Sequence, residues 1–143
     1  IIVTGVSILR KTIANLLDKA DEALLEDMAS ELNAKRSPDW IDIHNAKVIK
    51  YGNYLYMDCD LTLPWFYTIE KGHDEGAHLR QILEKKYADR IQLTIHLDPC
   101  TVFEQSKCRS CICKDCKTRK EAFEQAEPIT LATFVEHADE VDR

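Results

Sequence analysis

The protein has 143 residues, 45% of them hydrophobic and 31% charged, a balance that excludes a disordered or collagen-like polymer and fits one compact domain with a tail. A chain of this length buries roughly two-thirds of its unfolded surface, so it can build a core without disulfides and leave its six cysteines free for chemistry. A formal charge of −6, from 19 Lys+Arg against 25 Asp+Glu, argues against nucleic acid as a partner and makes cations the more natural one.

Residues 1–9 are the most apolar stretch, but Thr4, Gly5 and Ser7 interrupt it and Arg10 and Lys11 end it, far short of the ~20 residues of a spanning helix. No secretory signal is visible. The start at Ile1 reads as a cut from a longer chain. Ile2, Val6, Leu9, Ile13 and Leu16 follow a helical stripe. This is either the emerging end of a last membrane helix, with its basic residues on the cytoplasmic side, or a surface amphipathic helix. Asp21 is placed to cap a second helix with Leu24, Leu25, Met28 and Leu32 on its apolar face, closed by Ser37 and Pro38.

Residues 40–51 read as a strand, and Gly52-Asn53 as a tight turn into a second one. In that second strand Leu55, Met57, Cys59, Leu61 and Leu63 point one way, and Tyr56, Asp58, Asp60 and Thr62 the other. Pro64 ends it. Residues 69–87 are helical, with Gly72 and Gly76 one turn apart beside Leu79, Leu83 and Tyr87, as expected of a helix lying close on a sheet. A third strand turns Ile91, Leu93, Ile95 and Leu97 inward and Gln92, Thr94, His96 and Asp98 outward. The order is helix, strand, strand, helix, strand. It stacks as two layers, both helices on one sheet face and the other face uncovered, with Asp58, His96 and Asp98 sharing that open face. The aromatics Tyr51, Tyr54, Tyr56, Trp65, Phe66 and Tyr67 cluster at the hairpin and its exit and read as core filling or a protein interface.

The tail differs. Residues 107–120 hold six Lys+Arg against Asp115 alone and include Cys108-x-x-Cys111-x-Cys113-x-x-Cys116; beyond them the chain turns acidic, with a short helical pattern around Leu131, Phe134 and Val135. Four thiolates at this spacing can enclose Zn²⁺, and the basic neighbours Lys107, Arg109, Lys114 and Lys117 would lower the thiol pKa values. Two disulfides, an iron–sulfur site and a redox-active thiol group share the pattern. His96 and Asp98, two apart on a strand, offer N and O ligands to one side, with Asp58 and His44 as candidates to join them and His73 as a further one. Each of these taken alone also fits a solvated surface residue, the reading given to His78 and His137.

Several marks occur together: residues 15–20 (NLLDKA), the lead-in Ile41-Asp42-Ile43-His44, the alternating second strand, His73 early in its helix, and the ending His96-Leu97-Asp98-Pro99. On these residues 1–100 resemble the cytosolic C-terminal domain of the cation diffusion facilitator family of cation-efflux antiporters. The resemblance implies an α+β, ferredoxin-like αββαβ two-layer sandwich that forms a homodimer through its open sheet face and binds divalent metal there. An N-terminal helix would precede it and a Cys-rich tail follow. It implies residues 1–20 as the end of the last membrane helix with its linker and 21–99 as the metal-binding dimerisation domain; residues 100–143 lie outside the resemblance and read, from their cysteines, as a metal-binding tail with a short helix.

Carried over by position, the cytosolic ligands are His44, Asp58, His73, His96 and Asp98, and Asp18 matches an interlocking charge contact at the membrane junction; Cys108, Cys111, Cys113 and Cys116 are a separate set that rests on their own spacing. Family members commonly have His where this chain has Asp58, and a carboxylate is the harder ligand, which bears on the choice among Zn²⁺, the first expectation, and Fe²⁺, Mn²⁺, Cd²⁺ or Co²⁺. The expected function is regulatory. Two acidic faces repel when empty, a shared cation draws them together, and the attached transport helices, absent from this chain, are biased at the cytoplasmic face of a cell membrane, a bacterial inner membrane by expectation. The competing reading is a free-standing metal-binding or thiol-redox module acting through the four cysteines. An enzyme is not expected, since no glycine-rich phosphate loop and no oriented nucleophile–base pair is present.

Overall fold

The computed structural model describes residues 3–9, 22–100 and 105–136. The join at residues 15–20 with Asp18, the cap Asp21 and His137 lie outside the described residues. Residues 3–9 are helical. Among the described residues no helix is long and apolar enough to cross a membrane.

Helix α1 (Glu22–Ala34) buries Leu25, Met28, Ala29 and Leu32, the three- and four-residue spacing of one helical face. Strands β1 (Asp42–Tyr51) and β2 (Tyr54–Leu63) form an antiparallel hairpin closed by Gly52, whose φ of 63° suits the one residue type without a Cβ. Helix α2 (Ile69–Lys86) opens on Thr68, whose hydroxyl accepts from the Lys71 N–H, and β3 (Ile91–Pro99) then pairs parallel with β2. The sheet order is β1-β2-β3, and α1 and α2 pack together on one face. This is the expected αββαβ architecture.

The core lies between the layers. Trp40, Ile43, Met57, Cys59, Leu61, Leu79 and Leu83 are all within 1% of complete burial. Trp40 donates its indole N–H to Glu75 Oε2 at 2.9 Å, which satisfies a buried donor, and its ring packs on His78 with centroids 5.4 Å apart. A Cβ built on Gly72 would lie 3.2 Å from Leu97 Cδ1, and one on Gly76 3.7 Å from Leu97 Cδ2. The two glycines therefore seat α2 on the end of β3.

Of the aromatic cluster, Tyr51, Tyr54, Tyr56 and Trp65 stay exposed, so they do not fill the core. The first three share the outer face with Ile49, through the pairs Tyr51–Tyr54 and Ile49–Tyr56. The tail is built into the fold. After α3 (Gln105–Ser110) the chain returns to β1, where α4 (Leu131–Val135), opened by a Thr130–Thr133 capping box, places Phe134 at 0% exposure and Ile129 at 6% within the common core. Arg36 donates to the carbonyls of Trp40, Ile41 and Glu127, tying the end of α1 to both β1 and the returning tail.

Candidate metal centre

The open sheet face gathers its ligands by register. His44 on β1 stands directly opposite Asp60 on β2, and Asp60 directly opposite His96 on β3. Ile43 and Val48 are both buried although their odd separation would turn them to opposite faces of a regular strand. A bulge between His44 and Lys47 absorbs the difference, with Asn45 in the left-handed region at φ 53°. Carried straight from the turn, the pairing would set His44 against Leu61 on the core side. The bulge brings it to the outer face.

His44 Nδ1 lies 2.8 Å from Asp42 Oδ1, which also accepts from the Thr62 hydroxyl at 2.8 Å. A carboxylate accepts, so this contact favours the tautomer with the imidazole proton on Nδ1 and Nε2 as the potential metal ligand. That Nε2 lies 3.8 Å from Asp60 Oδ2 and 3.8 Å from Asp98 Oδ2. One ligand atom from each of His44, Asp60 and Asp98 lies within 4.8 Å of the others, a spacing a single cation could close. His96 stands beside this trio, its Nδ1 3.1 Å from Asp98 Oδ1 and 4.0 Å from Asp60 Oδ1, with 73% of its side chain exposed. Asn45 donates to Asp60 Oδ2 at 2.9 Å, while its own Oδ1 is buried without a hydrogen-bond partner.

Of the residues expected at this face, His44, His96 and Asp98 come together. Asp58 does not join them: it shares the face but lies nearer the hairpin, opposite Lys47 and Thr94, and Asp60 takes the β2 position instead. His73 is exposed on α2, in the other layer, and is not part of the trio. Two contributors were not singled out as ligand or support, Asp60 and Asp42. The phase switch of buried residues across the bulge is the signal that would have found the first.

All six cysteines are free thiols. Among the described residues no three of the sulfurs lie within 4.8 Å of one another, so Cys108, Cys111, Cys113 and Cys116 form an open arrangement. The expected lowering by the basic flank fails at Cys111. Burial pushes Cys111 up, Arg119 opposing only in part, and Cys116 is lowered chiefly by the hydrogen bond to the Thr118 hydroxyl. Arg109 is engaged instead with Glu121.

A structure of CzrB, described as a zinc transporter, in its zinc form is similar with a TM-score of 0.53 at 18% identity, covering 57% of this chain and 91% of that one. A second CzrB structure matches with a TM-score of 0.50 at 19% identity over 54% of this chain and 93% of that one. The metal-bound C-terminal domain of the CzcD transporter from Thermotoga maritima aligns with a TM-score of 0.45 at 21% identity, covering 51% and 87%. The two CzrB likenesses speak for the fold. No curated protein sequence matches the chain. The family described as cation efflux protein, cytoplasmic domain, matches residues 20–100, more than half of the chain and every strand of the sheet. The protein therefore belongs to the cation efflux family, of which it carries the cytoplasmic domain.

Proposed function

We propose that the outer sheet face binds a regulatory divalent cation through His44, Asp60 and Asp98, with His96 adjacent, and that two copies of the domain close on one another when it is bound. The observation that carries this reading is the convergence of His44 Nε2 with the Asp60 and Asp98 carboxylates, with Asp42 holding the imidazole in the ligating tautomer. Zn²⁺ is the first metal to test; a set with two carboxylates to one imidazole also suits Fe²⁺ or Mn²⁺. The exposed Ile49, Tyr51, Tyr54 and Tyr56 give the same face an apolar neighbour surface on which a second copy can pack. Closure would bias the membrane helices of a metal/proton antiporter, the domain itself doing no chemistry. Membership of the cation efflux family favours this over a free-standing thiol module.

The test is molecular mass in solution of the reduced chain with and without Zn²⁺, for wild type, His44→Ala, Asp60→Ala and the Cys111→Ser/Cys116→Ser double variant. The expected result is a metal-promoted dimer that both sheet-face variants lose and the cysteine variant keeps. A mass that ignores metal, or a dimer that survives Asp60→Ala and His44→Ala, overturns the reading.

A further inference from the structure

The family match stops at residue 100, and sulfur chemistry gathers at that boundary. Cys100 follows β3 directly, and its N–H donates to the Leu63 carbonyl at 2.8 Å, fixing it at the end of the sheet. Trp65 then joins it to the tail. The Trp65 backbone N–H donates to Cys100 Sγ at 3.4 Å, and its indole N–H donates to Thr118 Oγ1 at 3.1 Å, itself 3.5 Å from Cys116 Sγ. A single guanidinium shapes the loop between. Arg119 donates to the carbonyls of Cys108, Cys111, Cys113 and Glu121. A cationic fork that fixes three cysteine backbones at once spends the loop's conformational entropy before any ligand arrives.

We propose that Cys100, Cys108, Cys111 and Cys116 form a tetrathiolate site for one soft d¹⁰ divalent cation, Zn²⁺ or Cd²⁺, separate from the sheet face and with Cys113 outside the set. Trp65 and Thr118 link Cys100 to Cys116, and Cys111 and Cys108 are the other thiols whose charge bears on Cys100; Cys113 lies by Cys111 and the Tyr67 phenol. The pattern within the tail suggests four ligands at Cys108, Cys111, Cys113 and Cys116; the fold replaces the third with a cysteine from the end of β3. Because the sulfurs are still open, binding draws the loop inward, and the four thiols release their protons as they become ligands. Sulfur donors select Zn²⁺ and Cd²⁺ over Mg²⁺ or Mn²⁺, and Arg119 beneath the loop offsets the net negative charge of the loaded site. This site does not rest on the sheet-face reading.

The test uses the full chain, reduced and kept from air, with Co²⁺ as the spectroscopic probe and Cd²⁺ in competition. Co²⁺ bound by thiolates shows sulfur-to-metal charge-transfer absorption that nitrogen and oxygen ligands do not give. Wild type, Asp60→Ala and Cys113→Ser are expected to show the band. Cys100→Ser is expected to lose it, or to bind Cd²⁺ at least about tenfold more weakly, a ligand counting for no less than a supporting residue. Cys100→Ala, which removes the sulfur without adding a hydroxyl beside Trp65, should behave alike, and far-ultraviolet circular dichroism checks that both variants keep the fold. No band in wild type overturns the site. A band lost with Cys113→Ser but unchanged in both Cys100 variants overturns the ligand set in favour of the tail alone.

Discussion

Asp98 and Cys100 are two residues apart, yet the clusters they belong to are positioned by different means. On the sheet face, His44, Asp60 and Asp98 are held by backbone pairing on three strands, and the imidazole is locked by a buried carboxylate that Thr62 also holds. In the tail, Cys108 lies in a six-residue helix and Cys111, Cys113 and Cys116 on irregular chain held by Arg119 and Trp65. The sheet face presents ligand atoms already within reach of one ion, whereas the thiols remain apart. Nitrogen and oxygen donors sit on the paired strands, and sulfur donors on a segment that would have to draw inward to enclose an ion. The family match covers the first and, of the second, Cys100 alone.

The two regions are not mechanically independent, and the largest expected effect breaks their connection. Beyond the cysteines the chain crosses to β1, where Phe134 is fully buried and the Glu136 carbonyl accepts from the N–H of Asn45, the left-handed residue of the bulge. Phe134→Ala removes a core aromatic and is expected to cost about 3–5 kcal/mol in urea unfolding. It should also loosen the bulge that turns His44 outward, so metal-promoted dimerisation should weaken in the fraction that remains folded. A cost below about 1 kcal/mol would show that the return segment lies on the domain without supporting it.

The next effect separates ligand from support. Asp42→Asn keeps the shape but replaces the acceptor facing His44 Nδ1 with a group that can also donate, so the imidazole tautomer is no longer fixed. Zn²⁺ affinity at the sheet face, read by isothermal titration on the Cys111→Ser/Cys116→Ser background, is expected to fall about 10–100-fold. Unchanged affinity would mean that Asp42 does not set the imidazole for the metal. Arg119→Lys should do the converse. A lysine offers a point charge in place of a planar fork, so Cd²⁺ binding by the thiols is expected to drop roughly tenfold while the sheet face is untouched.

The order of elements was legible in the sequence because each carries a clean period. The three- and four-residue spacing from Leu25 to Leu32 and the strict alternation from Leu55 to Leu63 and from Ile91 to Leu97 each admit one secondary structure. The open face followed from parity, and with it Asp98 and His96. The partner on β2 did not, because parity says which face a residue takes but not which residue it stands opposite. That depends on the bulge, and Asn45 advertises it only through a phase change in the buried positions. The short helix around Phe134 was visible as a pattern, but its seat in the core is a long-range contact that no local period encodes. Cys100 was overlooked beside the tail cysteines for the same reason, since the fold, and not the spacing, places the end of β3 against Trp65 and Thr118.

The smallest effect concerns carboxylates and sharpens what sets the sheet face apart. On the helical side, Asp27 already has its cation: Lys86 Nζ lies 2.8 Å from Oδ1 and the Tyr87 hydroxyl donates to Oδ2 at 2.7 Å. The Lys86 hydrogen bond, then that of Tyr87, holds the Asp27 carboxyl below its ordinary value of 3.8. A depressed folded-state value means that the contact stabilises the protein above the ordinary carboxylate range and that this contribution disappears as the pH falls through the folded value. The side chain is about half exposed, so the whole contribution stays below about 1 kcal/mol. Urea unfolding of wild type and Asp27→Asn should therefore differ by a few tenths of a kcal/mol near pH 7 and converge as the pH falls below the ordinary carboxylate range. Asp60 and Asp98, set close together beside imidazoles, should show the opposite response to metal: added Zn²⁺ raises stability at neutral pH through them and leaves the Asp27 difference unchanged. A Zn²⁺-dependent change in the Asp27→Asn difference would mean that metal is felt across both layers, and that the sheet face is not the self-contained unit its register describes.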